Sequence, residues 1–194
     1  MNTAGGGLPG GLINMAAFLP ASSVNGPGRR AVVWVQGCHR RCPGCFNPEM
    51  LALTENQLVT VAELAGRILA AGGIEGVTFS GGEPFRQAAA LAELAAIMVK
   101  HGLTVIVFTG YEYEELTQAD NPDWNKLLQV TDLLVSGPYL EHRPSCSYLR
   151  GSANQELVFL SPRLRDHPDI NKQAGQAREF IIDAAGNIII TGLG

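Results

Sequence analysis

The sequence predicts an α/β domain built as a partial, laterally open barrel, and three observations carry that prediction. Apolar strand-like runs alternate with amphipathic helical runs over most of the 194 residues, the pattern of parallel β/α units. Strand after strand ends in glycine or a small polar residue, and in parallel α/β architectures those C-terminal strand ends line the ligand site. The chain is also shorter than the roughly 250 residues of a closed eight-fold barrel, so a barrel open on one side fits its length better.

The elements follow in order. Residues 1–10 are expected to be a flexible start and residues 11–194 one folded unit. "LINMAAFLPAS" reads as a strand, followed by the turn "NGPG" at 25–28. "AVVWVQ" (31–36), β-branched and aromatic, is a buried strand that runs out into Gly37, with Trp34 expected as packing. "TVAELAGRILAAG" (60–72) has helical spacing and a terminal glycine. "GVTFSGG" (76–82) is a strand, and "PFRQAAALAELAAIMVKHG" (84–102) a helix with Pro84 at its start and Gly102 past its end. "LTVIVFTG" (103–110) and "TDLLVSG" (131–137) are further strands, separated by short helices around "YEEL" and "DWNKLLQV", with Trp124 as a helix anchor. "LVFL" (157–160) is extended, and "REFIIDAAGNIIITG" (178–192) reads as two strands joined by a turn around Gly186.

Composition narrows the function classes. An apolar fraction of 46% with 16% charged residues is that of an ordinary globular protein, and a net charge of −4 gives no nucleic-acid footprint. No run reaches the roughly 18 apolar residues of a membrane helix, and the opening lacks the basic n-region of a signal peptide. Three of the four cysteines crowd into eight positions, too close to staple distant elements, so a reducing compartment, the cytoplasm, is expected.

That crowded stretch, "GCHRRCPGC", sets Cys38, Cys42 and Cys45 at C-x3-C-x2-C spacing. Closely spaced thiolates on a loop hold iron–sulfur clusters, because successive side chains reach different metal corners. Gly37 and Gly44 let the backbone wrap, and Pro43 restricts it. The alternatives are a zinc site completed by His39, which would have to fold back from the position next to Cys38, or a four-thiolate site closed by Cys146, which otherwise stays a free thiol.

The loop resembles the signature of radical S-adenosylmethionine enzymes, and the resemblance implies a (β/α)6-type open barrel over residues 11–194. It implies that Cys38, Cys42 and Cys45 bind a [4Fe–4S] cluster whose fourth iron is left for S-adenosylmethionine. "SGGEP" (80–84) is similar to the family's Gly-Gly-Glu-Pro motif, which implies that Gly81, Gly82 and Glu83 hold the methionyl ammonium. "NGPGRR", "GCFNP", "FTGY", "DLLVSGPY" and "LRGSANQ" resemble, in order, the landmarks of the short activating proteins within the glycyl-radical-activase group. On that resemblance Thr109, Gly110, Ser136, Arg150 and Asn154 are further cofactor-binding candidates. Ser136 stands where the group's pattern has an aspartate, keeping an oxygen but not the charge. His39, Arg40 and Arg41 make the loop basic, as an electron-donor dock or as solvated surface.

The implied activity is that of a radical oxidoreductase: a reduced flavodoxin or ferredoxin supplies an electron, S-adenosylmethionine is cleaved, and a hydrogen atom is taken from a protein. No nucleophile or His–carboxylate constellation competes with that reading. The expected substrate is a glycine of a glycyl-radical enzyme such as anaerobic ribonucleotide reductase; the alternative is a ribosomally made precursor peptide. The reading from a different class is an iron–sulfur electron carrier or a zinc-stapled interaction module.

Overall fold

Successive side chains along a strand point to opposite faces, so the mostly apolar central strands feed both faces of the sheet. The computed structural model describes residues 11–170, 177–182, 186 and 188–192. The expected flexible start, 1–10, lies outside them, as do residues 183–185 and 187 of the expected turn around Gly186. Strand β1 (Leu12–Ser22) pairs antiparallel with β2 (Arg30–Val35) and, on its other edge, with β3 (Gln57–Thr60). Strands β4 (Gly76–Gly81), β5 (Thr104–Phe108) and β6 (Leu133–Ser136) continue from β2 in parallel, and β7 (Glu156–Phe159) closes the row antiparallel to β6. The order across the sheet is β3-β1-β2-β4-β5-β6-β7. A separate antiparallel pair is formed by β8 (Arg178–Ile182) and β9 (Ile188–Gly192).

The result is a mixed α/β single domain in which four strands, not six, are parallel. A parallel return needs a crossover of a dozen or more residues, usually a helix. Residues 23–29, between β1 and β2, are too few for one, and residues 137–155, between β6 and β7, contain no helix. Both margins therefore turn back antiparallel. Strand β3, with the four-residue sequence QLVT, carries too short a pattern for sequence reading to find.

Helices α1 (Val61–Ala70), α2 (Ala88–Lys100), α3 (Tyr113–Gln118) and α4 (Pro122–Gln129) all pack on one face. There Val33, Val35, Val77, Phe79, Val105, Val107 and Leu134 meet Leu64, Ile68, Leu91, Leu94, Met98, Leu116 and Leu127 in one core. Thr60 caps α1 by accepting from the Glu63 N–H at 3.1 Å, and Trp124 anchors α4 by donating to the Phe85 carbonyl at 2.8 Å. The other face carries Val32, Trp34, Ile106, Phe108, Leu133 and Val135, covered by the 137–170 loops and by Ile181 of β8. Trp34 thus points away from the helices, opposite its neighbours Val33 and Val35.

At the N-terminal ends of the parallel strands the chain is tied by Arg30, which has no exposed surface. All five of its N–H donors are used. Nε donates to Thr78 Oγ1, one terminal nitrogen to the Pro27 carbonyl and Thr104 Oγ1, and the other to the Val77 and Thr104 carbonyls, at 2.9–3.0 Å. Burial pushes this guanidinium down to about 10, with Asp132 the largest opposing influence.

Candidate active site

The opposite, C-terminal ends of the strands hold the cysteine loop. It leaves β2 at Gln36 and is closed at its base by two backbone bonds: the Gly37 N–H donates to the Met50 carbonyl at 2.9 Å and the Cys38 N–H to the Leu51 carbonyl at 3.2 Å. Inside it, the Cys45 N–H turns back to the Cys42 carbonyl at 3.2 Å. Cys38 is buried, Cys42 and Cys45 are half-buried, and Cys146 is exposed on the 137–155 loop. Burial pushes the Cys38 and Cys45 thiols up.

Among the described residues no three Cys, His, Asp or Glu side chains converge as ligands of a single metal ion. A zinc site would need His39 as its fourth ligand, and the His39 Nε2 is instead engaged with the Tyr111 hydroxyl at 3.0 Å. Three soft thiols spread over one loop suit an iron–sulfur cluster, in which each thiolate takes its own iron.

Next to this loop β4 ends in Gly81, Gly82 and Glu83, and the two glycines have a structural reason. The Gly82 N–H donates to the Val35 carbonyl at 2.8 Å and the Glu83 N–H to the Gly37 carbonyl at 3.0 Å. A Cβ on Gly82 would stand 2.5 Å from the Gly37 oxygen, and one on Gly81, at φ +101°, 2.7 Å from Val35 backbone. The pair lets one strand end lie directly on the root of the cysteine loop.

Glu83 is 1% exposed. Its Oε1 accepts from the Phe85 N–H and from Thr109 Oγ1, and its Oε2 from the Gly110 N–H, each at 2.9 Å. Burial raises this carboxyl above its ordinary range; the three hydrogen bonds and the positive charge of Arg40 pull the other way. The same carboxylate therefore caps the short 3-10 turn Pro84–Gln87 and ties the end of β4 to the end of β5.

Tyr111 follows Gly110 and receives contacts from three sides. Its carbonyl accepts from Ser136 Oγ at 3.2 Å and from the Gly137 N–H at 2.8 Å. Its hydroxyl shares a hydrogen bond with His39 Nε2 at 3.0 Å, and the Arg40 guanidinium lies 4.2 Å above its ring centre. Burial and the nearby Glu83 push the phenol up to about 12. Arg40 also pairs with Glu115 at 2.6 Å, so this arginine is engaged rather than solvated, whereas Arg41 is exposed.

The structure thus brings Gly81, Gly82, Glu83, Thr109, Gly110 and, through Tyr111, Ser136 together beside the cysteines. Asn154 stands beside Gly137, the residue after Ser136, whereas Arg150 makes its backbone hydrogen bond within the 137–155 loop. Asn154 Nδ2 donates to the Pro138 carbonyl at 2.7 Å, the Arg150 N–H donates to the Ser147 carbonyl at 3.2 Å, and Asn154 Oδ1 and Arg150 Nε are buried without partners among the described residues. Sequence reading passed over Tyr111 and Glu115, because nothing local marks contacts made across more than 70 residues.

A cavity of about 290 Å³ opens on the face away from the helices. Trp34, Ser80 and Phe108 form its floor, Phe46 and Asn47 enter from the cysteine loop, Tyr139 and Gln155 from the loop after β6, and Ile190 and Thr191 from β9. Thr191 Oγ1 is held by Asn25 Nδ2 at 2.9 Å, which fixes β9 to the turn before β2.

Comparison with known proteins identifies relatives of this chain. Residues 24–158 match the family described as a 4Fe-4S single cluster domain. The chain is 32% identical over 153 residues to the anaerobic ribonucleoside-triphosphate reductase-activating protein of Enterobacteria phage T4, covering 75% of this chain and 93% of that one. It is 32% identical over 156 residues to the protein of the same description from Salmonella typhimurium, covering 74% and 96%. Against the pyruvate formate-lyase-activating enzyme of Staphylococcus aureus it is 32% identical over 154 residues, covering 74% of this chain and 60% of that enzyme. Among solved structures, QueE from Escherichia coli overlaps 52% of this chain and 53% of its own at a TM-score of 0.39 and 19% identity, too slight a likeness to carry an argument.

Proposed function

We propose, from the premise that this chain belongs to the 4Fe-4S single cluster domain family and within it to the radical S-adenosylmethionine activating enzymes, that it takes a hydrogen atom from a backbone glycine of a glycyl-radical enzyme such as anaerobic ribonucleotide reductase. Its cofactors are a [4Fe–4S] cluster and S-adenosylmethionine. When bound, they supply reductive cleavage of the sulfonium to methionine and a 5′-deoxyadenosyl radical.

The protein's part is to hold and orient. On this reading Cys38, Cys42 and Cys45 hold the cluster. Glu83, with the backbone of Gly81 and Gly82, receives the methionyl ammonium, and Thr109 and Gly110 keep the carboxylate aimed. Ser136 fixes the Tyr111 carbonyl at the edge of the same site, while Arg150 and Asn154 approach from the 137–155 loop. The seven-stranded sheet curves as a laterally open partial barrel, and a glycine loop of the partner reaches the cavity floored by Trp34, Ser80 and Phe108. A reduced flavodoxin or ferredoxin docks at the exposed Arg41 and Arg86 beside the loop.

The observation that carries the reading is the Glu83 tie: one buried carboxylate joins the ends of β4 and β5 beside the root of a three-cysteine loop. The test is anaerobic. Reconstituted, dithionite-reduced protein is given S-adenosylmethionine, and 5′-deoxyadenosine is measured for wild type and Cys42→Ala, with and without a glycyl-radical enzyme whose radical is read by electron paramagnetic resonance. Expected are product from wild type alone and a glycyl radical on the partner. Product with no radical on any such enzyme, but modification of a precursor peptide, overturns the substrate. A loop that takes up zinc and refuses iron overturns the whole reading.

A further inference from the structure

We propose that Arg40 is a positioning residue that clamps the cysteine loop onto the end of β5, holding residues 39–41 in one conformation between Cys38 and Cys42. The inference deepens the reading above and, for its effect on a cluster, rests on it.

The loop needs such a clamp. Among the described residues the backbone hydrogen bonds of the loop belong to its base and its far turn, so residues 39–41 depend on other contacts. Arg41 takes a positive φ of 49°, a conformation a non-glycine residue keeps only when its neighbours impose it.

The Arg40 side chain supplies that constraint. Its guanidinium stacks on Tyr111 at 4.2 Å and pairs with Glu115 at 2.6 Å, while its stem passes the Gly110 backbone closely enough that a Cβ there would sit 3.3 Å from Cγ. His39 adds the hydrogen bond to the Tyr111 hydroxyl. Neither receiving residue is loose. Tyr111 is packed against Trp124, ring centres 4.7 Å apart, and Glu115 closes the capping box of α3 by accepting from the Glu112 N–H at 2.7 Å. The clamp therefore fastens a loop without regular structure to a helix start and an aromatic stack that are already fixed. Arginine suits the position because one planar group stacks and pairs at once; lysine would do one or the other.

A positive charge beside a cluster raises its reduction potential, so removing the Arg40 guanidinium should lower it. Amide hydrogen exchange of the metal-free protein gives the first readout. Arg40→Ala should speed exchange of residues 39–42 about tenfold, the scale of one stacked and ion-paired contact, and leave β2 and β4 unchanged. Tyr111→Leu should do the same, and the double variant should add little to either. Tyr111→Phe keeps the stack and should stay close to wild type, and Arg40→Lys should not rescue. In the reconstituted protein, Arg40→Ala should move the cluster midpoint to a more negative potential. Unchanged loop exchange, additive effects in the double variant, or an unmoved midpoint overturns the clamp. Faster loop exchange in a protein that refuses iron leaves the clamp standing and sinks the cluster reading instead.

Discussion

Arg30 opens β2 and Arg40 lies in the loop beyond its other end, ten positions on, and they are held in opposite ways. Arg30 has no exposed surface and spends every donor on the starts of β4 and β5 and on the turn before its own strand. Its two hydroxyl acceptors are oriented in turn, since Thr78 Oγ1 donates to the Asn25 carbonyl and Thr104 Oγ1 to the Glu75 carbonyl. Arg40 has one ion pair and one ring, with a side chain still 21% exposed. The contrast separates scaffold from site. The N-terminal end of the sheet is fixed by a saturated buried network, which is costly to disturb. The C-terminal end is fixed by a few side-chain contacts around backbone kept free for a ligand.

The sharpest way to break that comparison is Arg30→Met. It takes the donor from three carbonyls, of which those of Pro27 and Val77 are buried, at about 1–3 kcal/mol each, while the two hydroxyls keep their own donations to Asn25 and Glu75. We expect a loss of at least about 3 kcal/mol in urea unfolding, with the slope of the transition unchanged. Arg30→Lys, with three donors and no fork, should recover only part of it. A loss below about 1 kcal/mol for Arg30→Met would mean that the buried network does not set the scaffold's stability.

Next in size is Gly82→Ala. Its Cβ would meet the Gly37 oxygen at 2.5 Å and the Gly37 carbon at 2.8 Å, and both are backbone atoms that cannot rotate away. Overpacking of this kind costs about 1–3 kcal/mol. The damage falls at the root of the cysteine loop, so iron uptake on reconstitution should drop more than stability does. Normal iron content in a clearly destabilised variant would detach the glycine pair from the cysteine site.

Smaller again is Ser136→Asp, which restores the acid expected at this place by resemblance. Ser136 is 3% exposed and donates to the Tyr111 carbonyl, whereas an ionised aspartate has no proton to give. The Gly137 N–H stays on that carbonyl, so a loss of about 1–2 kcal/mol is expected at neutral pH. A more stable variant would show that the site prefers a charge there.

How far the sequence could be read follows the same division. Strands β2, β4, β5 and β6 and helices α1 and α2 were legible because apolar periodicity reports burial directly. The cysteines stood out by their spacing, whereas Gly81–Glu83, Thr109, Gly110 and Ser136 came from the resemblance; the fold sets them at neighbouring strand ends. The antiparallel returns of β1 and β7 were not, since pairing direction depends on what lies between strands rather than on the strands themselves. Nor was the reason for two glycines at 81–82: they make room for the backbone of Val35 and Gly37, some 45 residues earlier. The basic run His39, Arg40, Arg41 read as one patch, yet Arg40 is committed to Tyr111 and Glu115, positions that only the fold brings near.

The β8–β9 pair supplies the weakest perturbation and the cleanest control. Phe180, Ile182, Ile188 and Ile190 share one side of the ribbon and are 58–69% exposed, while Ile181, on the other side, packs near Leu19, Val32 and Trp34. Phe180→Ser and Ile188→Ser remove little buried surface and should change stability by no more than about 0.5 kcal/mol. Ile181→Ser should cost about 1–2 kcal/mol, because the side chain it loses is partly covered. Release of 5′-deoxyadenosine without a protein partner should be unaffected in the two outer variants, since neither residue touches the Glu83 tie or the cysteine loop. If Phe180→Ser proved as destabilising as Ile181→Ser, the outer side of the ribbon would have to be covered in solution, and the separation between scaffold and open face would fail at this edge.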